Sequence, residues 1–366
     1  MKQKLILQVG TGKTGTTFIQ QALASNSDAL LDQGICYPRA GRKGAQAGHH
    51  SFYAALASGK EWWLTETARP DDILRDMIAE IRASGCGHAV ISEESLVWLP
   101  ADIVHFLAVN LEEFDVRIVV DLRRQDLYVD SALNQLVKAA GRTFTHDQLW
   151  QFDGTSYVPD YYSVILKWAR SFGPWNIVVR PFERSQMLGA DILDDFFLRA
   201  LGARVTVPRS ESDSAQNDRL SRASLEFKRI MNFLFAERPQ TCAQLMAPLL
   251  QRDVETGAPG GAILSDATRR KILDDTKAHN DAIVAEFNHS TDDRTRLKPG
   301  IFVEPFRPSE TEPFGELAKV EIASMLAAVR KENPDLVRAI RNAPVPEDTP
   351  QAEFRQIQRI RELIDE

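Results

Sequence analysis

The chain has 366 residues, with 44 Lys or Arg against 51 Asp or Glu, and its formal net charge is −7. This acidic balance argues against broad electrostatic binding of nucleic acid, so no nucleic acid is expected among the partners. Hydrophobic residues make up 43% and charged residues 26% of the chain, with 20 Gly and 18 Pro. That composition excludes a disordered, collagen-like or disulfide-scaffold protein and leaves room for a local basic pocket.

The cysteines and the N-terminal residues indicate in which cellular compartment the protein is expected. Cys36, Cys86 and Cys242 show neither close pairing nor the spacing of a metal site, which indicates reduced thiols. The apolar run Leu5 to Val9 is stopped by Gly10, so it is too short for a signal-peptide core or a membrane span. The sequence therefore predicts a cytoplasmic protein with no integral membrane segment.

Short apolar runs alternate with segments of helical periodicity in the first part of the chain. Strands are predicted at residues 5–9, 35–37, 89–91, 116–122 and 176–179. Helices are predicted between them, and again at 191–201. This alternation is typical of a mostly parallel sheet covered by helices. The predicted fold class is therefore α/β, a three-layer α/β/α arrangement with a mostly parallel central sheet and additional C-terminal helices.

The strand signal disappears beyond about residue 205, and helical patterns follow. A stretch interrupted by prolines, residues 299–313, is predicted to be a linker. We therefore expect an α/β domain at 1–300, helical from about 205, and a C-terminal helical extension at 301–366. The charged faces of this extension are expected to be solvated or to form a contact in a homo-oligomer.

The most informative segment lies between the first strand and the first helix and reads Gly10-Thr-Gly-Lys-Thr-Gly-Thr-Thr17. A glycine-rich turn of this kind lets successive backbone N–H groups point at one anion, with the positive end of the helix dipole behind them. Lys13 adds a positive charge, and the threonines add hydroxyl donors. The segment therefore predicts an anion-binding turn.

Several interpretations of this turn compete. A nucleoside-triphosphate loop of the Walker A type needs a glycine where Leu7 stands. A dinucleotide fold fits the spacing of Gly10, Gly12 and Gly15 but needs an acidic residue after the second strand, and residues 37–42 contain none. A turn that holds a phosphosulfate needs the donors that this segment has. A glycine-rich turn without a ligand is the structural alternative.

The segment Lys13-Thr-Gly-Thr-Thr17 resembles the 5′-phosphosulfate loop of sulfotransferases that use 3′-phosphoadenosine 5′-phosphosulfate (PAPS). A second motif of this family, an arginine at a strand end with a serine eight residues later, is matched by Arg123 and Ser131. The resemblance implies PAPS as sulfuryl donor and a P-loop-like phosphosulfate turn. It implies that the donor is bound by Gly12, Lys13, Thr14, Gly15, Thr16, Thr17, Arg123 and Ser131. Within this set, Lys13 would stabilise the leaving oxygen, and Arg123 with Ser131 would hold the 3′-phosphate.

The resemblance covers roughly residues 1–290 and includes departures. Many relatives have Arg-Asn-Pro where this chain has Arg123-Arg124-Gln125, and the Arg-Lys-Gly element that clasps the 3′-phosphate in cytosolic relatives has no convincing counterpart. Residues 217–225 and 280–283 are similar to bacterial members that act on carbohydrates. The expected acceptor is therefore the hydroxyl of a small molecule or glycan, most specifically of a carbohydrate.

Sulfuryl transfer to a hydroxyl needs a general base near that hydroxyl. Glu94 follows the second main strand and is the first choice by resemblance, with Glu93 as the fallback. A further choice is provided by His49 and His50, which lie in a glycine-rich loop where an acceptor could approach. Of the two, we predict His50 to be the catalytic histidine. Either carboxylate could instead cap the next helix. No metal-ligand cluster is found in the sequence, and the reaction is expected to need no metal.

Two other functions are kept as alternatives. A P-loop kinase-like phosphoryl transferase would need an acid that holds Mg²⁺, a role that Asp121 at the end of the third main strand could fill. Activity that survives EDTA would count against this alternative. A non-catalytic module could bind a nucleotide or glycan through the same pocket.

Overall fold

The structure, a computed structural model, describes residues 2–44, 46–57, 68–138, 143, 158–189, 191–208, 220–258, 263–308 and 316–366. The chain forms two compact units, and both are discontinuous in sequence. The first comprises residues 1–124, 159–215 and 275–305, and the second comprises 125–158, 216–274 and 306–366.

The first unit is built on a five-stranded sheet in which every neighbouring pair of strands is parallel. The strands are β1 (Lys4–Gln8), β2 (Ile35–Cys36), β3 (His88–Ser92), β4 (Asp115–Leu122) and β5 (Ile177–Pro181). Their order across the sheet is β2-β3-β1-β4-β5. The connections therefore run to opposite sides of β1, since β2 and β3 lie on one side of it and β4 and β5 on the other.

Helices cover both faces of this sheet. They are α1 (Thr16–Ser25), α2 (Ser27–Leu31), α3 (His50–Leu56), α4 (Pro70–Ser84), α5 (Ala101–Asn110), α7 (Tyr161–Phe172) and α8 (Ile192–Leu201). Alternate residues of β1 enter different cores: Leu5 and Leu7 pack with α4, α5 and α7, whereas Ile6 packs with α1 and α8. This alternation buries the strands on both sides, which explains their nearly continuous apolar runs.

The predicted fold class is confirmed, because the first unit is a three-layer α/β/α arrangement with a parallel sheet. All five predicted strands are present in the structure, within two residues of the predicted bounds. No helix in the described part of the chain is long and apolar enough to cross a membrane.

The second unit consists of helices around its own apolar core. They are α6 (Gln125–Lys138), α9 (Arg222–Leu234), α10 (Pro239–Ala243), α11 (Met246–Thr256), α13 (Lys319–Glu332), α14 (Pro334–Asn342) and α15 (Gln351–Asp365). The long helix α12 (Asp266–Phe287) is divided between the units at residue 275. The last division between the units falls at residue 305, and the second unit also takes in two earlier segments.

Candidate active site

The site expected from the sequence lies where β1 and β4 end. These two strands are neighbours in the sheet. From β1 the chain continues to β2, toward one edge of the sheet, and from β4 it continues to β5, at the other edge. In an open parallel sheet such a point forms a crevice at the carboxyl ends of the strands, where ligands bind. The anion-binding turn follows β1, and Arg123 follows β4.

The turn after β1 is fixed against β4 by its first residues. The N–H of Val9 donates to the Val119 carbonyl at 2.9 Å, and the N–H of Thr11 donates to the Asp121 carbonyl at 2.8 Å. The Thr11 hydroxyl donates to that same carbonyl at 3.0 Å. Gly10 stands between these contacts, and a Cβ there would lie 2.4 Å from the Cβ of Asp121. The close approach of the two backbones therefore requires glycine at position 10.

Gly10→Ala is expected to lower the free energy of unfolding by about 1–3 kcal/mol, because the added methyl group overlaps the Asp121 side chain. Gly12→Ala is the matched control in the same turn, since its Cβ would meet nothing within 4 Å. Urea unfolding of both variants gives the comparison. Equal midpoints for the two variants would contradict the assigned role of Gly10.

The rest of the turn leads into α1 with an open helix N-terminus. Gly15 is the N-terminal flanking residue, with φ 76°, and no described side chain caps the helix. Lys13 has φ 69°, a left-handed conformation that costs a non-glycine residue on the order of 1–2 kcal/mol. Backbone strain of this kind occurs where the surrounding structure holds a functional turn. The uncapped N–H groups and the helix dipole suit this turn to an anion.

The side chains of the turn differ in exposure. Lys13 and Thr17 are exposed, whereas Thr14 and Thr16 are buried. The Thr14 hydroxyl donates to the Thr11 carbonyl at 2.6 Å. Its proton is therefore used inside the turn, and any contribution of Thr14 to an anion would come through its backbone N–H.

Arg123 is brought directly to this turn. Its guanidinium donates to the Lys13 carbonyl at 2.8 Å, and its own carbonyl accepts from the Tyr161 hydroxyl at 2.7 Å. The side chain is half-buried. The first unit thus brings the Arg123 guanidinium to the backbone of the turn that carries Lys13, the other positive residue expected from the sequence. Ser131 lies in α6 and belongs to the second unit.

A buried charge cluster beneath the turn was not expected from the sequence. The guanidinium of Arg180 donates to Asp121 at 2.7 Å and to Asp195 at 2.6 Å, and all three side chains are at most 1% exposed. The other Asp121 carboxylate oxygen accepts from the Gln8 amide at 2.5 Å. Asp121 therefore has both carboxylate oxygens occupied while its carbonyl holds the turn. Such a closed network positions the ends of β1, β4 and β5 relative to one another.

On the other side of β1, His50 forms an ion pair with Glu93. His50 Nδ1 contacts Glu93 Oε2, and the second Glu93 oxygen accepts from the Ser95 N–H at 3.1 Å. The imidazole is 42% exposed, whereas the carboxylate is 1% exposed. The hydrogen bond to this carboxylate raises the pKa of His50 above its ordinary value of 6.5, although burial opposes the shift.

His49 has a structural environment. Its Nδ1 accepts from the Ser92 N–H at 3.2 Å, and its Nε2 contacts the Pro38 carbonyl at 3.1 Å. Burial lowers the pKa of His49 to about 3. The ring is therefore neutral, with its proton on Nε2, and it joins the loop after β2 to the end of β3.

Glu94, the first choice for the base, lies at the start of a short 3-10 turn, Glu94–Trp98. One of its oxygens accepts from the Gln20 side chain of α1 at 2.8 Å. Gly48 adjoins the same glutamine, since a Cβ there would lie 2.7 Å from Gln20 Oε1. Glu94 and the His50–Glu93 pair thus approach the first turns of α1 from β3 and α3. Within the ranges that the structure describes, no group of three His, Cys, Asp or Glu is arranged to hold a metal ion.

Comparisons with known proteins find only limited similarity to this chain. No family model matches the sequence. A 172-residue segment, 47% of this chain, is 28% identical to an uncharacterized protein from Archaeoglobus fulgidus, and the match spans 45% of that protein's length. Among solved structures, a sulfotransferase from Alicyclobacillus acidocaldarius aligns with 65% of this chain and 94% of its own, at 15% identity and a TM-score of 0.35.

Proposed function

We propose that the protein is a sulfotransferase that moves the sulfuryl group of PAPS to an acceptor hydroxyl. The observation that carries this proposal is the hydrogen bond from Arg123, at the end of β4, to the backbone carbonyl of Lys13, on the anion-binding turn after β1. A donor with phosphates at both the 5′ and 3′ positions needs two such positive groups. The motifs that resemble the sulfotransferase family fall on these same positions. The acceptor is proposed to be a carbohydrate hydroxyl, and the reaction is proposed to occur in the cytoplasm.

The turn would bind the phosphosulfate through the N–H groups at the start of α1. Lys13, Thr16 and Thr17 would add donors to the 5′-phosphosulfate. During transfer the acceptor oxygen forms a bond to sulfur, and the bond from sulfur to the phosphate oxygen breaks. Negative charge then grows on the departing oxygen, which becomes part of adenosine 3′,5′-bisphosphate. Lys13 would stabilise that charge by a positive group held in place before the reaction.

The acceptor proton would pass to His50. Its Nδ1 faces Glu93, which fixes the ring and leaves Nε2 as the nitrogen that can accept a proton. We favour His50 over Glu94 because a carboxylate partner raises the pKa of the imidazole, and so its basicity, whereas Glu94 accepts a hydrogen bond from Gln20. Glu93 would act as a positioning residue behind His50.

Glu93→Gln is expected to move the pH dependence of kcat/KM. His50 is a base only when neutral, so activity rises as the pH passes its pKa. Because the Glu93 carboxylate raises that pKa, its removal should shift the rising limb to lower pH and lower the plateau. The measurement is a pH profile of kcat/KM, which reports groups of the free enzyme. Glu94→Gln is the matched control, and it would contradict the assignment if it removed activity while His50→Asn did not.

The phosphoryl-transferase alternative is less well supported. It assigns Asp121 to Mg²⁺, but both carboxylate oxygens of Asp121 already accept hydrogen bonds from buried donors, Arg180 and Gln8. A Mg²⁺ ligand keeps its oxygens directed at the metal and at metal-bound water. The binding-module alternative makes the same nucleotide contacts without turnover, and Lys13→Met distinguishes it, since a module has no kcat to lose.

Calorimetry with adenosine 3′,5′-bisphosphate, ADP and NAD tests the proposed function. The bisphosphate should bind most tightly, and Arg123→Ala should weaken it by about 1.5–3 kcal/mol, the usual contribution of a charged hydrogen-bond partner. Arg117→Ala serves as the control, because Arg117 lies earlier on the same strand and donates to the Ala200 carbonyl. Equal binding of the bisphosphate and ADP would overturn the proposal.

A further inference from the structure

A cavity of about 480 Å³ lies beside the second half of α1, in the first unit. It is lined by Gln21 and Ser25 of α1, by Ser27, and by Arg39, Arg42 and Gln46 from the loop after β2. No described lining residue is acidic, so two guanidinium groups give this cavity a positive charge.

Neither arginine has a carboxylate partner among the residues that the structure describes. No ion pair joins either guanidinium to a carboxylate in the described part of the chain, and the Nε of Arg42 is buried with no hydrogen-bond partner among those residues. The Glu80 carboxylate approaches the loop, but it accepts from the backbone N–H groups of Arg39 and Ala40 at 2.8–2.9 Å. A guanidinium donor buried without an acceptor costs free energy, so Arg42 is held here at a cost to stability.

Arg42 is also held in position. Its guanidinium carbon lies over the Tyr37 ring, 5.1 Å from the ring centre, and the Tyr37 hydroxyl donates to the Ala47 carbonyl at 2.7 Å. This cation–π contact helps to hold the guanidinium, whose N–H donors lie in one plane. Such a fixed fork matches the two oxygens of a carboxylate or a sulfate ester.

The loop after β2 lines this cavity and leads directly to the proposed base, since His50 begins α3. The Tyr37 ring lies edge-on to His49, 4.9 Å between ring centres, and His49 precedes His50. On α1, Gln20 contacts Glu94 while the next residue, Gln21, lines the cavity. Gln21 lies one helical turn beyond Thr17, a rise of about 6 Å. A molecule that presents a hydroxyl to His50 could therefore place another group in the cavity.

We propose that this cavity is an acceptor subsite for an anionic group, a carboxylate or sulfate ester carried by the molecule whose hydroxyl is sulfated. That this molecule is the sulfate acceptor rests on the proposed function. The cavity's preference for an anion depends on Arg42 and Arg39 and not on that function. Gln21, Ser25 and Gln46 would donate to the same group or to neighbouring hydroxyls. The acceptor class is thus an acidic sugar rather than a neutral one.

The test compares p-nitrophenyl β-D-glucuronide with the matching neutral glucoside, by calorimetry on the full chain with adenosine 3′,5′-bisphosphate added to saturation. We expect the glucuronide to bind about tenfold to a hundredfold more tightly, and Arg42→Gln to remove this ratio. Arg42→Lys should keep part of it. Arg75→Gln, which removes an exposed arginine on α4, should keep all of it. A third measurement, with glucose 6-sulfate, shows whether the cavity prefers a sulfate ester or a carboxylate.

The possible failures are separable. Equal affinity for glucuronide and glucoside, an undetectable affinity for both, or a ratio unchanged in Arg42→Gln would overturn the subsite, whatever the nucleotide does. If the bisphosphate fails to bind while the glucuronide binds in an Arg42-dependent way, the sulfotransferase proposal falls and the anionic subsite stands. Thermal unfolding of Arg42→Gln and Arg42→Lys checks that lost binding is not lost folding.

Discussion

Lys13→Met is expected to lower kcat for transfer from PAPS by about 10²–10³-fold, the loss found when one preorganised donor to a developing oxyanion is removed. The methionine keeps the length of the side chain and removes its charge. Because the backbone N–H groups at the start of α1 remain, the affinity for adenosine 3′,5′-bisphosphate should fall much less than kcat. The measurement is kcat with an accepted sugar, alongside calorimetry of the bisphosphate.

Lys277→Met is the matched control for this prediction. Lys277 is an exposed lysine of the same unit that pairs with Asp281 on α12, and its loss should leave kcat unchanged. If Lys13→Met kept its kcat and lost only affinity, Lys13 would hold the donor without acting on the transition state. The account of the leaving oxygen would then be wrong.

Arg180→Met is expected to be the most destabilising of these substitutions, at about 3–5 kcal/mol, because it leaves the Asp121 and Asp195 carboxylates buried without their cation. The same change loosens the turn, since Asp121 holds Thr11 through its carbonyl. Chemical denaturation measures the loss of stability.

An exposed arginine pair provides the comparison for Arg180. Arg82→Met breaks the pair between Arg82 and Glu113, whose side chains are 63% and 37% exposed, and should cost at most about 1 kcal/mol. A similar loss in both variants would show that burial does not set the energy of the Arg180 cluster.

Much of the first unit follows from sequence pattern alone. Short apolar runs ending in glycine or polar residues predicted the strands. A strand that is buried on both faces is apolar at nearly every position, so it appears in the sequence as a continuous run. The proximity of Lys13 and Arg123 follows from the rule that parallel strands end at one edge, which needs only the positions of the two strands. Resemblance to a known family selected the ligand for that edge.

Other features depend on contacts distant in sequence. Glu93 and Glu94 are adjacent, and the 3-10 turn that begins at Glu94 directs one toward His50 and the other toward Gln20. No local pattern states which carboxylate receives which partner. The Arg180 cluster likewise joins β4, β5 and α8, and three separate segments build the second unit. Such groupings follow from tertiary packing, which local sequence patterns do not encode.

The structure describes only part of the sequence pattern that points to a carbohydrate acceptor. Residues 217–219, part of the segment similar to carbohydrate-acting relatives, lie outside the described residues. The charges around Arg42 give an independent criterion for the acceptor, because they depend on side chains that the structure describes. The role of Ser131 stays a prediction from its spacing to Arg123, and Ser131→Ala in the same calorimetric series tests it.

A crystal structure with adenosine 3′,5′-bisphosphate tests the central claim most directly. We predict the 5′-phosphate within hydrogen-bond distance of the N–H groups of residues 15–17 and of the Lys13 ammonium, with the 3′-phosphate on the Arg123 guanidinium. A nucleotide bound elsewhere, or one whose 3′-phosphate makes no contact with Arg123, would contradict the account.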